Sequence, residues 1–185
     1  LNALLGLVAL RVEAHTGQHF DHVPALALTQ TADAAADLRH RVRREIESRE
    51  ALHEEDLDRV VDAHVSRTLG QGVGLYVHSE DRIYLFEDNI ARYVAPTLGP
   101  ADLLGPYLAC TLAHELTHAL QSQIAGPPSP TTPLEGLVVR AIREGHANQI
   151  GEAVCRELRE PALIGFDRGM QGIDAMGTRP RAMSG

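Results

Sequence analysis

The chain contains no tryptophan, and aromatic residues make up only 4% of its 185 residues. Apolar residues still account for 44% of the chain, and alanine, leucine and valine supply most of them. A core built from these residues is aliphatic, and we expect it to be largely helical. The sequence shows no internal repeat or low-complexity tract, and its length suits one domain better than two.

Long hydrophobic runs and excess positive charge are also lacking. The apolar opening, residues 1–10, is about half as long as a bilayer-spanning helix, so we predict no membrane span. The formal charge of -8 has the wrong sign for binding a phosphate backbone, and we predict no nucleic-acid partner. Because the chain begins at Leu1 rather than Met, we expect a trimmed or processed N-terminus. The sequence predicts neither a compartment nor an oligomeric state.

Cysteine is scarce, since Cys110 and Cys155 are the only two in the chain. They form no CxxC motif, and two cysteines do not make a disulfide framework. If the predicted helices around them run antiparallel, both lie on the same side of the site described below, which allows a disulfide. We favour two buried free thiols, because free cysteine is among the most buried residue types.

The spacing of apolar residues predicts a mostly helical single α+β domain, residues 1–185, with a small antiparallel or mixed sheet. The predicted helices are 1–14, 31–50, 54–69, 106–125 and 133–158, and the predicted strands are 23–29 and a hairpin within 73–85. Thr132 and Glu135 form a capping pattern at the start of the last helix. We expect Pro161 to bound that helix, so that 159–185 form a loop or tail.

The stretch HELTH, residues 114–118, carries the most specific chemical pattern. His114 and His118 are one helical turn apart, so both imidazoles can point at the same spot. Neutral imidazole binds zinc at about 2.0 to 2.1 Å. Glu115 lies at the flank of this face, where its carboxylate can reach a water molecule at the metal and serve as a general base. The pattern also occurs on ordinary polar helix faces, so a further ligand has to decide between the two interpretations.

The last predicted helix supplies that further ligand. A catalytic zinc needs a third protein ligand and an open fourth position. On this helix, Glu144 and Asn148 interrupt an otherwise apolar seam, and a carboxylate on a buried seam is costly without a partner. We therefore predict Glu144 as the third ligand. His146 is turned about 200° around the helix from Glu144, so we expect it to face away from the metal.

HELTH followed by the Glu of REGHAN on the next helix resembles the gluzincin metallopeptidases, the thermolysin-like branch of the HExxH zinc peptidases. GLYVHSEDRIYLFED, and HALQSQ followed by EGHA, are similar to a bacterial and archaeal subgroup of small predicted metallopeptidases. The likeness covers residues 20–158 in layout. It implies a zincin-like fold and a Zn²⁺ site made by His114, His118 and Glu144. It also implies that Glu115 is the catalytic base and that the substrate is a peptide or protein.

Two details follow from this resemblance. A strand before the active-site helix borders the cleft in these proteins, and we assign that edge strand to residues 82–87. In many gluzincins the residue four after the ligand Glu is an Asp that orients the first His. Here that residue is Asn148, whose amide oxygen can accept the same N–H without supplying a charge. We predict a zinc metallopeptidase of the gluzincin-like endopeptidase type.

Two other functions stay open at this point. In the first, the protein is a non-catalytic binding module. Its zinc only holds two helices together, and its cleft binds a partner. In the second it is a zinc hydrolase that acts on something other than a peptide. Arg140 has three roles open to it: pairing with Glu144, contacting substrate, or remaining a solvated charge.

The sequence does not choose the residue that stabilises the developing oxyanion. The candidates for this hydrogen-bond donor are four tyrosines: Tyr76, Tyr84, Tyr93 and Tyr107. A second metal cluster is not favoured, because Gly17 interrupts the segment that contains His15, His19 and His22.

Overall fold

A computed structural model of the protein describes residues 1–47, 53–94, 104–126 and 130–177, with the backbone alone from residue 159. These residues contain five long helices and three short strands, with a short α-helix (Glu87–Asn89) and a π-helix (Ile90–Val94) after the last strand. The long helices are α1 (Asn2–Thr16), α2 (Thr31–Glu47), α3 (Glu54–Gln71), α4 (Leu104–Ala125) and α5 (Pro133–Gly177). The strands are β1 (Ala25–Thr29), β2 (Gly74–Val77) and β3 (Arg82–Phe86). This confirms the predicted α+β class.

The sheet is mixed, with the strand order β1-β3-β2. β2 and β3 form the predicted antiparallel hairpin, joined by a 3-10 turn at His78–Glu80. β1 pairs with the other side of β3 in parallel, although two helices separate them in the chain. Asp81, at the start of β3, has a φ of 46° and closes the turn in the left-handed region. β3 is therefore the central strand, and β2 is one of the two edges.

Alternate residues of β3 contact two different helical layers. Ile83 and Leu85 are fully buried against α1, α4 and α5. Phe86, on the other face, is buried against the apolar faces of α2 and α3. This alternation is the period of two expected of a strand with helices on both faces. The sheet is thus covered on both sides, and one side consists of the helices that carry the predicted ligands.

α4 and α5 run antiparallel and lie in direct contact. Gly151 of α5 faces the α4 backbone, so that a Cβ built on it would lie 3.5 Å from the carbonyl oxygen of Cys110 and 3.6 Å from the Cβ of His114. α4 begins two residues before its predicted start and ends at the predicted residue, and α5 begins at the predicted residue. Gly126, in the left-handed region, follows the end of α4. The Thr132 hydroxyl accepts the N–H of Glu135 at the start of α5, as the capping pattern predicts.

Cys110 and Cys155 form a disulfide bond between α4 and α5, so the expectation of free thiols is wrong. The two Cα atoms are 4.7 Å apart, within the range of about 4.4 to 6.8 Å that a disulfide requires. The thiols come this close because the helix backbones touch at Gly151. Sequence spacing places the cysteines on the same side of the helices but does not report the distance between the helices.

The prediction that the last helix ends before Pro161 is also wrong, because α5 continues to Gly177. Of the predicted loop or tail at 159–185, residues 159–177 are helical and 178–185 lie outside the described residues. A proline removes a single backbone donor from a helix, and the helix continues on both sides of this one.

Within the described residues, no helix has the length and apolar character needed to cross a bilayer.

Candidate metal centre

The side chains of His114, His118 and Glu144 converge on one point between α4 and α5. The Nε2 atoms of the two histidines are 3.1 Å apart. Glu144 approaches both rings, with Oε2 3.4 Å from Nε2 of His114 and Oε1 3.5 Å from Nε2 of His118. Among the described residues, this is the only group of three or more His, Cys, Asp or Glu ligand atoms placed to hold a metal ion. The structure therefore brings together the three predicted ligands.

The spacing of these atoms is compatible with a bound metal ion. Ligand atoms at about 2.0 to 2.1 Å from zinc, arranged at tetrahedral angles, lie about 3.3 Å from one another. The two nitrogens are 3.1 Å apart, and each lies 3.4 to 3.5 Å from a different oxygen of Glu144. Taking one ligand atom from each residue, all three lie within 4.8 Å of one another. Two imidazoles and one carboxylate are also the donor types that zinc takes in three-ligand sites. The residues therefore fit the metal that the motif predicts.

Contacts within this group favour the anionic form of Glu144, the predicted third ligand. Hydrogen bonds from His114 and His118 hold the pKa of Glu144 well below its usual range. Burial acts to lower the pKa of His118, but the hydrogen bond with Glu144 and the charges of Glu115 and Glu144 outweigh it and raise that pKa. Glu144 is thus an anion over the whole neutral range, which is the form that binds a metal.

Glu115 is buried, with 8% of its surface exposed, and lies outside the group of ligand atoms. Its Oε2 accepts the backbone N–H of Tyr76 at 2.7 Å. Burial raises the pKa of the Glu115 carboxyl, while the charges of His114 and His118 act in the opposite direction. A carboxylate whose pKa is raised towards neutrality takes up and returns a proton more readily.

An open cleft of about 480 Å³ runs from Glu115 and His114 along the surface of α4 and α5. Its floor includes the Cys110–Cys155 disulfide. The residues that line it are Gly72, Val73, Gly74, Tyr107, Cys110, Thr111, His114, Glu115, Asn148, Gly151, Glu152 and Cys155. The predicted base and one ligand therefore face a space that a small molecule or a peptide segment can enter.

The strand that borders this cleft is β2, which corrects the assignment of the edge strand to 82–87. β3 has a partner on each side and presents no free edge. The N–H of Tyr76 in β2 points away from β3 to Glu115. Backbone groups of an edge strand alternate between its two sides, so Gly74 presents its N–H and carbonyl to the same side as Tyr76. Sequence alternation identifies the hairpin but does not indicate which of its strands β1 joins.

Asn148 lies beside His114 in the cleft wall and is exposed. No hydrogen bond joins it to either histidine within the described part of the chain, so its role in orienting His114 stays a prediction. His146 is exposed, as expected, and its Nδ1 contacts the side-chain amide of Gln121 at 3.1 Å. Arg140 is exposed and makes no ion pair with Glu144 among the described residues.

The N-terminal histidines belong to separate pairs. His15 lies 2.9 Å from Glu157, His19 lies 3.6 Å from Glu13, and His22 lies 2.6 Å from Asp81. Each of the three histidines therefore has a different carboxylate partner. That these histidines form no second metal site stays a prediction.

Of the four tyrosines, Tyr107 is the one that lines the cleft. The hydroxyl groups of the other three make hydrogen bonds elsewhere: Tyr76 to Asp81, Tyr84 to Glu80, and Tyr93 to the carbonyl of Gly70. Burial and the nearby Asp81 raise the pKa of Tyr76 to about 12. Tyr107 is therefore the tyrosine best placed to contact a molecule in the cleft.

Sequence reasoning missed Gln121 and Arg143, which contact the ligands or the helix that carries them. Gln121 Oε1 lies 3.2 Å from Nδ1 of His118. The Arg143 guanidinium donates to Gln121, to Ser122 and to the carbonyl of Gly126. The position of Gln121, three residues after His118 and so on the same helix face, is the signal that identifies it. No comparable signal connects Arg143 to α4.

No protein-family model, curated protein or solved structure matches this chain. The gluzincin resemblance therefore rests on the motif residues, and the functional argument rests on the geometry of the site.

Proposed function

We propose that this protein is a zinc-dependent hydrolase of peptide bonds, with zinc held by His114, His118 and Glu144. The observation that carries the proposal is the convergence of these three side chains within metal-binding distance, beside a cleft that is also lined by the buried residue Glu115. Three protein ligands with one side open to solvent are typical of catalytic zinc, whereas structural zinc is enclosed by four protein ligands.

Bound zinc would lower the pKa of a water molecule towards about 7 and polarise the scissile carbonyl. Glu115 acts as the general base. Its carboxylate is buried beside His114, and the Tyr76 N–H fixes Oε2. It accepts the proton of the attacking water and returns it to the leaving amine, and the raised pKa of Glu115 suits both steps.

The edge of β2 that faces away from β3 holds the substrate at Gly74, because the Tyr76 N–H on the same edge is already bonded to Glu115. Gly74 lies on the cleft wall with its backbone groups directed outward, and it lacks a side chain that would fill the space next to Glu115. An extended peptide can add to such an edge through main-chain hydrogen bonds. This placement brings an extended peptide along the cleft that Gly74, Glu115 and His114 line.

The disulfide argues against a zinc that only staples the two helices. Cys110 and Cys155 already join α4 and α5 covalently, one helical turn from His114. A metal staple at the same helix pair would add little further constraint. A zinc hydrolase that acts on a non-peptide substrate uses the same residues, but it would cleave no peptide in the library described below.

The test is hydrolysis of a broad peptide library by the zinc-loaded protein, with Glu115→Gln as the decisive variant. The amide keeps the shape of the side chain but cannot accept the proton, so we expect zinc content to hold and cleavage to fall at least about 10²-fold. Glu157→Gln, a surface carboxylate paired with Arg11 and His15, is the matched control and should cleave like the wild type. Identical behaviour of wild type and Glu115→Gln in every assay would refute the proposal.

A further inference from the structure

The second imidazole nitrogen of His118 is occupied by a neighbour on the same helix. Nδ1 lies 3.2 Å from Oε1 of Gln121, while Nε2 faces His114 and Glu144. An amide oxygen only accepts hydrogen bonds, so the proton of a neutral His118 is placed on Nδ1. The lone pair on Nε2 is then directed at the metal position. The tautomer of this histidine is therefore determined by Gln121.

Gln121 is itself held in one orientation by Arg143. Nε of Arg143 donates to Oε1 of Gln121 at 3.2 Å, and Nε2 of Gln121 donates to the Arg143 carbonyl at 3.1 Å. Reversing the amide would place donor against donor and acceptor against acceptor. Oε1 therefore remains the atom that faces His118.

Arg143 also connects the two helices at the metal. Its guanidinium donates to Ser122 Oγ at 3.0 Å and to the carbonyl of Gly126 at 3.2 Å, both at the C-terminal end of α4. Arg143 directly precedes Glu144 in α5. The contacts that hold Gln121 thus also hold the backbone next to the third ligand.

We infer that Gln121 is a positioning residue of the metal centre, which fixes the tautomer and ring orientation of His118 and, together with Arg143, aligns His118 with Glu144. The inference rests on the proposed function only in that a metal must bind at these ligands. It does not depend on what the protein hydrolyses. Residues in this position typically change metal affinity by about 10- to 100-fold.

The experiment measures zinc affinity by competition with a chromogenic chelator, which needs no substrate. Gln121→Leu removes the acceptor, and we expect its zinc affinity to fall about 10- to 100-fold. Gln121→Glu keeps an oxygen that accepts the Nδ1–H and should retain most of the affinity. Gln123→Leu is the control, because Gln123 contacts Asp21 and His22 on the far side of α4. Its zinc affinity should equal that of the wild type.

The cobalt-substituted forms provide a spectroscopic check on ligand geometry. Gln121→Leu should shift the visible absorption bands of bound Co²⁺, whereas Gln121→Glu and Gln123→Leu should resemble the wild type. Wild-type affinity and spectrum in Gln121→Leu would overturn the inference, as would equal losses in Gln121→Leu and Gln123→Leu or an equal loss in Gln121→Glu. Wild-type protein that binds zinc but cleaves no peptide would refute the proposed function and leave this inference standing.

Discussion

At the scale of single residues, the members of the site differ in how well the sequence alone predicts them. His114, Glu115 and His118 are fixed by a local motif, because helical geometry alone brings side chains one turn apart together. Glu144 is recognisable as a carboxylate on an apolar seam. Gln121 can be placed on the face of His118 by the same helical geometry, but the contact with Arg143 that fixes its amide depends on the other helix.

Replacing Glu144 by Ala tests the ligand assignment. The variant loses one of three metal ligands, so we expect its zinc affinity to fall by more than the roughly 100-fold associated with outer partners. Glu152→Ala is the matched control, because Glu152 lies two turns further along the same helix and lines the cleft without joining the ligand group. Zinc content after dialysis, measured by mass spectrometry of the native protein, distinguishes them. Equal zinc loss in both variants would contradict the assignment of Glu144.

At the scale of elements, the packing of β2 against α4 sets the width of the cleft beside the base. A Cβ on Gly74 would lie 2.8 Å from Cγ2 of Thr111 and 3.1 Å from Cγ of Glu115. The first distance is shorter than carbon atoms tolerate and the second is tight, so a side chain at this position would require Thr111, Glu115 or β2 to shift. The absence of a side chain there is what leaves the Tyr76 N–H within reach of Glu115.

We expect Gly74→Ala to push β2 away from α4, with a loss of about 1 to 3 kcal/mol in the free energy of unfolding and a loss of peptide cleavage. Thr111→Ser removes the clashing methyl group, so the double variant Gly74→Ala/Thr111→Ser should recover part of both. Gly70→Ala is the control, because nothing lies within 4 Å of a Cβ at that helical position. Denaturant unfolding and peptide cleavage are the measurements. A Gly74→Ala variant as stable and active as Gly70→Ala would show that the close contact has no such role.

At the scale of the whole molecule, two features extend beyond the site: the disulfide that joins α4 to α5 and the excess of negative charge. The disulfide closes a long loop that contains the entire metal centre, since its cysteines are 45 residues apart. The charge is -8, and the described cleft residues include Glu152 but no arginine. Stability therefore depends on a covalent link across the site, and the cleft carries part of the molecule's negative charge.

The variant Cys110→Ser/Cys155→Ser should unfold at lower denaturant concentration, because the unfolded chain regains the entropy of an open loop. For a loop of this length the loss is about 4 kcal/mol at most. Reducing agent should lower the stability of the wild type by a similar amount and leave the double variant unchanged. If both cysteines of the unreduced, denatured wild type react with iodoacetamide, the bond is absent and this prediction fails.

The charge of the cleft predicts a preference for basic peptides. Glu152 should attract an Arg or Lys side chain of the substrate, and Glu152→Gln should lower the ratio of cleavage of basic over acidic peptides about two- to fivefold, as expected of an exposed charge. The effect should diminish in high salt. Glu157→Gln changes the net charge equally but lies outside the cleft, so it separates a local effect from a global one. Equal shifts in both variants would assign the preference to the net charge.

The sequence by itself determined the features that local geometry governs. Helical periodicity and capping residues predicted the boundaries of α4 and the start of α5, and residues one turn apart predicted His114, Glu115 and His118 as a group. The sequence argument for Glu144 was that an unpaired buried carboxylate is unfavourable, but the structure leaves this side chain 50% exposed and also exposes Leu134 and Leu137 of the same seam. The burial argument was therefore wrong, and the support for Glu144 is its contact with the two histidines.

Tertiary structure decided what depends on the distance and rotation between elements distant in the chain. β1 occupies one side of β3 and so leaves β2 as the edge at the cleft. The contact of α4 with α5 at Gly151 brings the two cysteines within bonding distance, and the register of the same helices places Arg143 against Gln121. Hydrophobic periodicity specifies which face of an element is buried. It does not specify which partner covers that face, or how closely, because that depends on the packing of all the elements together.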